Sequence, residues 1–238
     1  MKKIFLALDN LEKKEILELV DELKEKVMFK VNDAFVKYGP KLIEEIKSNG
    51  GEVFLDLKFH DIPNTVGNYS KAAAEKGVFV FNVHCLGGIE MMKKARTTAD
   101  KYCKEKNLRK PLIVGVTILT SMEEQALKEE LKIDLNLEKM VKHLALNAKK
   151  AGLDGVVCSP KEIKLVKQAC GKDFITITPG IRPKWSVSDD QKRITTPKKA
   201  VKDGTDFIVI GRPIIQAEKY GMKRVEAARK IQKEIEST

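Results

Sequence analysis

Cysteine and histidine are scarce in this chain, and neither residue type is spaced to hold a metal or to build a disulfide framework. Its 238 residues include four cysteines and three histidines. The cysteines, at 85, 103, 158 and 170, contain no C-x-x-C pair, so the zinc-binding and disulfide-rich classes are excluded. We therefore expect free thiols in a reducing, cytoplasmic compartment and no bound metal.

Long hydrophobic runs are absent too. No stretch approaches the roughly 20 apolar residues of a membrane-spanning helix, and the apolar run before Asp9 is too short for a signal peptide. The chain also lacks G-x-G-x-x-G, Walker, nucleophile-elbow and H-E-x-x-H sequences, which mark several cofactor, nucleotide and hydrolase sites. These absences predict a cytoplasmic protein with no membrane partner, and they remove the most direct support for a dinucleotide-binding site.

Aromatic residues make up only 6% of the chain, although its net charge is +11. Nucleic-acid-binding proteins usually concentrate Lys and Arg in one stripe with aromatic residues between them, whereas here the lysines are spread along the whole sequence. We expect no nucleic-acid partner, and a non-enzymatic nucleic-acid binder is an alternative that the charge alone supports. The positive balance favours an anionic small substrate.

Short apolar runs alternate with amphipathic segments along the chain, a pattern typical of a parallel sheet covered by helices. Because the length is close to the roughly 250 residues of an eight-fold barrel, we predict an α/β fold with one domain over 1–238, a (β/α)8 TIM barrel. A doubly wound open sheet is the alternative. The predicted strands are 4–8, 27–31, 53–57, 78–83, 112–117, 155–158, 174–178 and 207–210. The predicted helices are 12–24, 40–49, 64–76, 89–106, 137–151, 160–170, 197–202 and 223–236.

The segment V-F-L-D-L-K-F-H-D-I-P-N-T, residues 53–65, carries charged residues at the end of an apolar strand. Side chains alternate between the two faces of a strand, so Asp56 and Lys58 share a face with Phe54. Charges where Val or Ile is usual reduce stability unless they are paired or used. The pattern predicts that Asp56, Lys58 and Asp61 lie together, either as reactive groups or as a structural ion pair with Asp61 starting the next helix.

Other charged residues end the first two predicted strands. The strand ends of a barrel form the mouth of the active site, which places Asp9 and Lys30 beside Asp56 and Lys58. Asp9 could instead cap a helix, and Lys30 could point outward. Because a structural ion pair needs only two members, the joint occurrence favours a reactive charge cluster. His84, which ends the fourth strand, fits the core and the site equally well.

Two glycine-containing loops, T-P-G-I-R-P and I-G-R-P, follow the last two strands. Loops at these positions are recurrent phosphate-binding elements of barrels. Gly211 permits close backbone approach and Arg212 supplies a planar fork of donors. A glycine turn before a proline-started helix explains Gly211 but not Arg212, so we favour a phosphate site. The polar segment at about 180–196, with Arg182, Gln191 and Arg193, is predicted to be a lid.

Seven segments together resemble the orotidine 5'-monophosphate decarboxylase family. They are A-L-D, K-V-N, F-L-D-L-K-F-H-D-I-P-N-T, V-G-V-T-I-L-T-S, T-P-G-I-R-P, D-Q-K-R and I-V-I-G-R-P-I, and they span residues 9 to about 214. The D-x-K-x-x-D core is shared with magnesium-dependent sugar-phosphate decarboxylases of the same barrel type, which form the alternative function. The adjoining F-H-D-I-P-N-T, with Gln191 and Arg212, makes the resemblance to the orotidine 5'-monophosphate decarboxylase family the more specific of the two.

The resemblance implies a homodimeric carboxy-lyase of de novo pyrimidine biosynthesis. It would convert orotidine 5'-monophosphate to uridine 5'-monophosphate (UMP) and carbon dioxide without a metal or cofactor. The catalytic residues that it implies are Lys30, Asp56, Lys58 and the partner subunit's Asp61. The binding residues that it implies are Asp9 and Lys30 at the ribose, Thr65 from across the interface, Thr120 (or Thr117) and Ser121 at the pyrimidine, and Pro179, Arg182, Gln191, Gly211 and Arg212 at the lid and phosphate.

That reaction suits the charge cluster. Loss of carbon dioxide from C6 of the pyrimidine leaves a carbanion with little resonance stabilisation, so the protein needs a positioned cation and a proton source. We expect Lys58 to fill both roles, with neighbouring carboxylates favouring its charged form. Phosphate binding energy would drive closure of the lid, so that catalysis as well as affinity depends on it.

Overall fold

Eight parallel strands close into a barrel in the computed structural model, which describes residues 2–186 and 195–237. Each strand pairs with the next along the chain, and the eighth pairs with the first. The strands are β1 (Ile4–Ala7), β2 (Met28–Val31), β3 (Val53–Phe59), β4 (Val80–His84), β5 (Leu112–Val116), β6 (Gly155–Val157), β7 (Ile175–Thr178) and β8 (Phe207–Ile210). All eight predicted strands are confirmed, and closure of the barrel excludes the open sheet.

Helices connect the strands and pack around the barrel. They are α1 (Lys13–Leu23), α2 (Asp33–Tyr38), α3 (Lys41–Ser48), α4 (Pro63–Glu75), α5 (Gly88–Lys106), α6 (Glu124–Glu129), α7 (Leu137–Lys150), α8 (Ile163–Cys170), α9 (Pro197–Lys202), α10 (Arg212–Ile215) and α11 (Arg224–Glu236). Short 3₁₀ turns lie at Cys85–Gly87, Lys184–Ser186 and Ala217–Tyr220. The predicted helices agree with these bounds to within one turn.

The short helices α2, α6 and α10 are the elements that the sequence prediction omits. Helices of four or six residues bury too few positions to show a 3.6-residue period, and α6 buries only Leu127. Between α2 and α3 the chain is interrupted by Gly39, which has a φ of 69°, and by Pro40. The predicted helix 40–49 therefore corresponds to α3 alone, and α2 lies before it outside any predicted helix.

The sheet separates two apolar layers. The layer inside the barrel consists of Phe5, Ala7, Met28, Phe54, Val80, Val114, Ile177, Phe207 and Val209. A larger layer lies between the sheet and the helices, and it includes Leu55 and the partly buried Leu57. The alternation predicted for β3 is therefore correct. It directs Asp56 and Lys58 inward, above Phe54 and toward the open end of the barrel.

The four cysteines are all buried and free, as the sequence predicts. Burial raises the pKa of the Cys85 thiol to about 12, so this group stays protonated at neutral pH. Within 2–186 and 195–237, no helix combines the length and the apolarity that crossing a membrane would require.

Candidate active site

A cavity of about 460 Å³ opens where the carboxyl ends of the strands meet. This end of a parallel barrel collects the loops that follow every strand, so residues distant in sequence share one wall. The cavity brings together most of the predicted site residues, namely Asp9, Lys30, Asp56, Lys58, Thr120, Pro179, Arg182, Gly211 and Arg212.

Four of these residues form an alternating chain of charges on one side of the cavity. Lys30 Nζ lies 3.0 Å from Asp9 Oδ1 and 3.2 Å from Asp56 Oδ2. Lys58 Nζ lies 2.7 Å from Asp56 Oδ1. Each carboxylate therefore faces an ammonium group, and both lysines contact the same aspartate.

Burial makes this arrangement costly unless every charge is paired. Lys30 is only 6% exposed and Asp56 only 9%, so both have lost most of their hydration. Contacts with the two lysines replace the lost hydration of Asp56. A third donor is the Asn82 amide, whose Nδ2 lies 2.6 Å from Asp56 Oδ1. A paired cluster with this buried centre holds Lys30 and Asp56 in fixed positions.

Lys58 occupies an unusual backbone conformation. Its φ is 49°, in the left-handed region, and the pairing of β3 with β4 shifts register between Leu55 and Phe59. The Lys58 backbone N–H donates to Asn82 Oδ1 at 2.7 Å. This bulge turns Lys58 back over Asp56, and Asn82 occupies the gap that it leaves. Asn82 is missing from the sequence prediction, and a polar residue within the apolar run V-F-V-F-N-V is the signal that could have found it.

Two arginines face the cavity from the loops after β7 and β8. Arg182 and Arg212 both line it, and no residue in the described part of the chain forms an ion pair with either. Burial and the like charge of Arg212 lower the pKa of Arg182 below its usual range. Two neighbouring cations that no described carboxylate neutralises favour an anionic ligand between them.

The loop backbone beside these arginines is closely packed. Gly211 is next to Ala7, such that an added Cβ would lie 3.4 Å from the Ala7 carbonyl oxygen. On the other loop, the Arg182 N–H donates to the Thr195 carbonyl at 3.0 Å, and Ile181 bridges to Thr195. The two ends of the predicted lid are thus joined at its base. Gln191 and Arg193 lie outside the described residues.

The two threonine candidates after β5 lie in different surroundings. Thr120 lines the cavity. Thr117 is buried, and its hydroxyl donates to the Val157 carbonyl at 3.2 Å, away from the charges. Ser121 is exposed and is not among the residues that form the cavity wall.

Asp61 and Thr65 lie away from the cavity of their own chain. Asp61 is exposed, its Oδ1 accepts the Ile62 N–H at 2.7 Å, and its Oδ2 accepts the Tyr69 hydroxyl at 3.4 Å. Thr65 is half-buried in the first turns of α4. The sequence places Asp61 beside Asp56 and Lys58, but within one described chain it is not joined to them.

His84 is next to the charge cluster and outside the cavity wall. Its ring stacks on that of His60 with centroids 5.1 Å apart, and its Nδ1 accepts the Leu86 N–H at 3.3 Å. Burial, followed by the charges of His60 and Lys58, lowers the pKa of His84 to about 4. His84 is therefore neutral at physiological pH.

Comparisons with known proteins match nearly the whole chain to one family. Residues 2–231 match the family model described as "Orotidine 5'-phosphate decarboxylase / HUMPS family". Orotidine 5'-phosphate decarboxylases of Geotalea uraniireducens and Syntrophomonas wolfei are 50% and 46% identical over 98% of this chain, and the matches cover 95% and 98% of those proteins. The crystal structure of the orotidine 5'-phosphate decarboxylase from Lactobacillus acidophilus superposes with a TM-score of 0.86 at 35% identity, over 99% of both chains.

Proposed function

This chain belongs to the orotidine 5'-phosphate decarboxylase / HUMPS family, and we propose that its cavity removes carbon dioxide directly from C6 of orotidine 5'-monophosphate, with Lys58 as the cation and proton donor. Relatives about half identical over nearly their full length support this substrate. The observation that carries the mechanism is the Lys58 ammonium held 2.7 Å from Asp56 on the cavity wall.

Lys58 has both properties that the reaction requires. When the bond between C6 and the carboxylate breaks, carbon dioxide leaves and the electron pair remains on C6. The Lys58 ammonium stabilises this developing charge and then transfers a proton to C6, which gives UMP and a neutral amine that water reprotonates. Because Lys58 is already fixed by Asp56, little reorganisation is needed at the moment of reaction.

Lys30 and Asp9 bind the ribose in this proposal. Lys30 lies between Asp9 and Asp56, and so it can donate to a hydroxyl while it keeps the Asp56 carboxylate in place. Asp9 is exposed to the cavity and offers an acceptor for a second hydroxyl. Thr120 faces the pyrimidine from the loop after β5. We assign Ser121 beside it to the same group on the strength of the sequence alone.

The phosphate group binds between Arg182 and Arg212, with the backbone of Gly211 and Pro179 at its side. The like charges of the two arginines and the close approach that Gly211 allows support this assignment. We assign Gln191 to the same group as part of a lid at about 180–196, on the strength of the sequence alone. The phosphate lies away from the reacting carbon, so its binding energy supports catalysis by closing the site.

A homodimer completes the site. In this proposal the partner subunit's Asp61 joins Lys30, Asp56 and Lys58, and the partner's Thr65 contacts the ribose. Asp61 faces away from its own cavity, and Ile62 beside it is 67% exposed. A large apolar side chain next to an outward-facing carboxylate is typical of a surface that another chain covers.

Direct decarboxylation needs no metal, and the donor set of the cavity favours that route. The carboxylates in its wall, Asp9 and Asp56, each contact a lysine ammonium. A magnesium ion would have to displace those lysines before it could use the oxygens. The four free thiols support a reducing, cytoplasmic location.

The absorbance of orotidine 5'-monophosphate provides the test. Purified protein treated with a chelator should bleach that absorbance, and Lys58→Ala should abolish the change while leaving the fold intact. Lys37→Ala, on the exposed surface, is the matched control and should keep full activity. Undiminished turnover by Lys58→Ala would refute the assigned role. If the protein does not turn over the pyrimidine nucleotide, and its activity on a sugar phosphate is lost when a chelator is added, a magnesium-dependent sugar-phosphate enzyme is favoured.

A further inference from the structure

The Asn82 side chain connects the two residues on which the proposed chemistry depends. Its Nδ2 donates to Asp56 Oδ1 at 2.6 Å, and its Oδ1 accepts the Lys58 backbone N–H at 2.7 Å. The opposite orientation of the amide would set its oxygen against a carboxylate and its N–H₂ against an N–H, so the network fixes which atom points where. One amide thus forms hydrogen bonds with both the Asp56 carboxylate and the Lys58 backbone.

Asn82 lies beneath the cavity. It is 1% exposed and projects inward from β4, one layer above Val80. It therefore acts on a substrate only through Asp56 and Lys58. A buried amide at this depth destabilises a barrel unless both of its ends are satisfied, which the two short hydrogen bonds achieve.

The backbone at Lys58 depends on the same amide. The register shift on β3 removes this N–H from the ladder of β4, and Asn82 Oδ1 takes the place of the missing carbonyl. A lysine at a φ of 49° is strained, because in the left-handed region the Cβ of an L-residue comes too close to the following carbonyl oxygen. Asn82 compensates for that conformation, and the conformation directs Lys58 over Asp56.

We propose that Asn82 is a positioning residue that fixes the direction of the Lys58 ammonium by holding the Asp56 carboxylate and the Lys58 backbone together. This role rests on the proposed function. The other charged groups of the network are Lys30 on β2, which pairs with Asp56, and Asp9 after β1, which pairs with Lys30. The titratable His84 lies two residues further along the strand of Asn82. The residue paired with it on β5, Val114, carries no charge.

Two substitutions separate positioning from general support of the fold. Asn82→Leu keeps the approximate volume and removes both hydrogen bonds. Its kcat should fall about 10- to 100-fold, the usual cost of losing the partner that orients a reactive group. Affinity for UMP should change far less than kcat, since UMP lacks the departing carboxylate and its proposed phosphate and ribose contacts are to residues other than Asp56 and Lys58, the two that Asn82 holds.

Asn82→Asp keeps the acceptor for the Lys58 N–H and replaces the donor by an acid that faces Asp56. Once protonated, that acid can donate to Asp56 as the amide does, and a neighbouring carboxylate favours its protonation. The kcat of Asn82→Asp relative to the unmodified protein should therefore rise as the pH is lowered. The relative kcat of Asn82→Leu should show no such rise. Thr205→Val removes buried hydrogen bonds to the Thr178 hydroxyl and the Thr176 carbonyl without touching the charge cluster, so it is the control and should keep kcat.

The outcomes are distinct. Wild-type kcat in Asn82→Leu, or equal losses of kcat and UMP affinity in Asn82→Leu and Thr205→Val, would overturn the positioning role and leave the decarboxylase intact. If Asn82→Leu does not fold, the pH profile of Asn82→Asp decides alone, and a profile parallel to that of the wild type refutes the proposal. Absence of decarboxylation by the unmodified protein would overturn the proposed function and the positioning role with it.

Discussion

Lys30 and Asp56 form an ion pair in the cavity wall, with 3.2 Å between Nζ and Oδ2 and both side chains almost completely buried. Lys30→Met should destabilise the fold by about 3–5 kcal/mol, because it removes one partner of a buried pair and leaves the other short of a cation. It should also remove most of the activity. Urea unfolding and steady-state kinetics measure the two effects.

The exposed pair of Lys37 with Glu12 provides the control for that prediction. Their atoms are 2.6 Å apart, closer than those of Lys30 and Asp56, but water surrounds both side chains. Lys37→Met should therefore leave stability almost unchanged, because exposed ion pairs contribute little. Equal destabilisation by the two substitutions would show that burial is not what makes the Lys30 pair important.

Arg212→Ala should lower kcat/KM about 10- to 100-fold, the expected effect of losing a charge-assisted hydrogen bond to an anion. Arg212→Lys should recover only part of this loss, since a lysine lacks the planar fork. Arg109→Ala is the control, because Arg109 pairs with Glu52 at the opposite end of the barrel. Inhibition by inorganic phosphate should weaken in parallel, and an unchanged inhibition constant would place the phosphate elsewhere.

The buried imidazole of His84 predicts a pH effect. Because the folded pKa of His84, about 4, lies below its ordinary value of 6.5, the unfolded chain binds a proton between these values that the folded chain does not. This contribution to stability is complete above pH 6.5 and is lost as the pH falls through about 4. An NMR titration should find one histidine with a pKa near 4, and His60→Ala should raise that value only partly, since burial is the larger cause.

Stability measurements give a second check on His84. His84→Asn preserves an acceptor near Nδ1 and removes the titrating group, so unfolding free energy should vary less steeply between pH 4 and 6.5. His143→Asn, on the exposed face of α7, should leave the wild-type slope in place. A steep slope in both variants would assign the pH dependence to other groups.

The elements that the sequence predicts best are those fixed by local patterns. Each strand is a short apolar run. The helices end at glycines that follow the predicted helical segments, such as Gly77 and Gly152, whose φ angles are 62° and 83°. Alternation along β3 also places Asp56 and Lys58 on one face. These features depend on neighbouring residues only, so a single sequence contains them.

The features that sequence misses depend on contacts between strands. The bulge at Lys58 exists because Asn82, on a different strand, accepts its N–H, and no periodicity encodes that bond. Asp61 lies past the end of β3, where alternation no longer determines its direction, and its carboxylate turns to Tyr69 instead of the cavity. Sequence therefore identifies the charged residues of the site more readily than the geometry that arranges them.

The outward direction of Asp61 allows a mixing experiment on the proposed dimer. Lys58→Ala and Asp61→Ala should each be inactive alone, because every site in either homodimer lacks one group. When the two variants are unfolded together and refolded, a mixed dimer contains one site with both substitutions and one site with neither. Activity should return to about a quarter of the wild-type value, because half of the dimers are mixed and half of their sites are intact.

The pairing of variants distinguishes a shared site from a self-contained one. Lys58→Ala mixed with Lys30→Met provides the control: both residues lie in the same chain's cavity, so every site in a mixed dimer carries one of the substitutions and activity should stay absent. If Asp61 acted within its own chain, the first mixture would behave like this control. Recovery in the first mixture and not in the second is therefore expected only if Asp61 reaches the charge cluster of the other subunit.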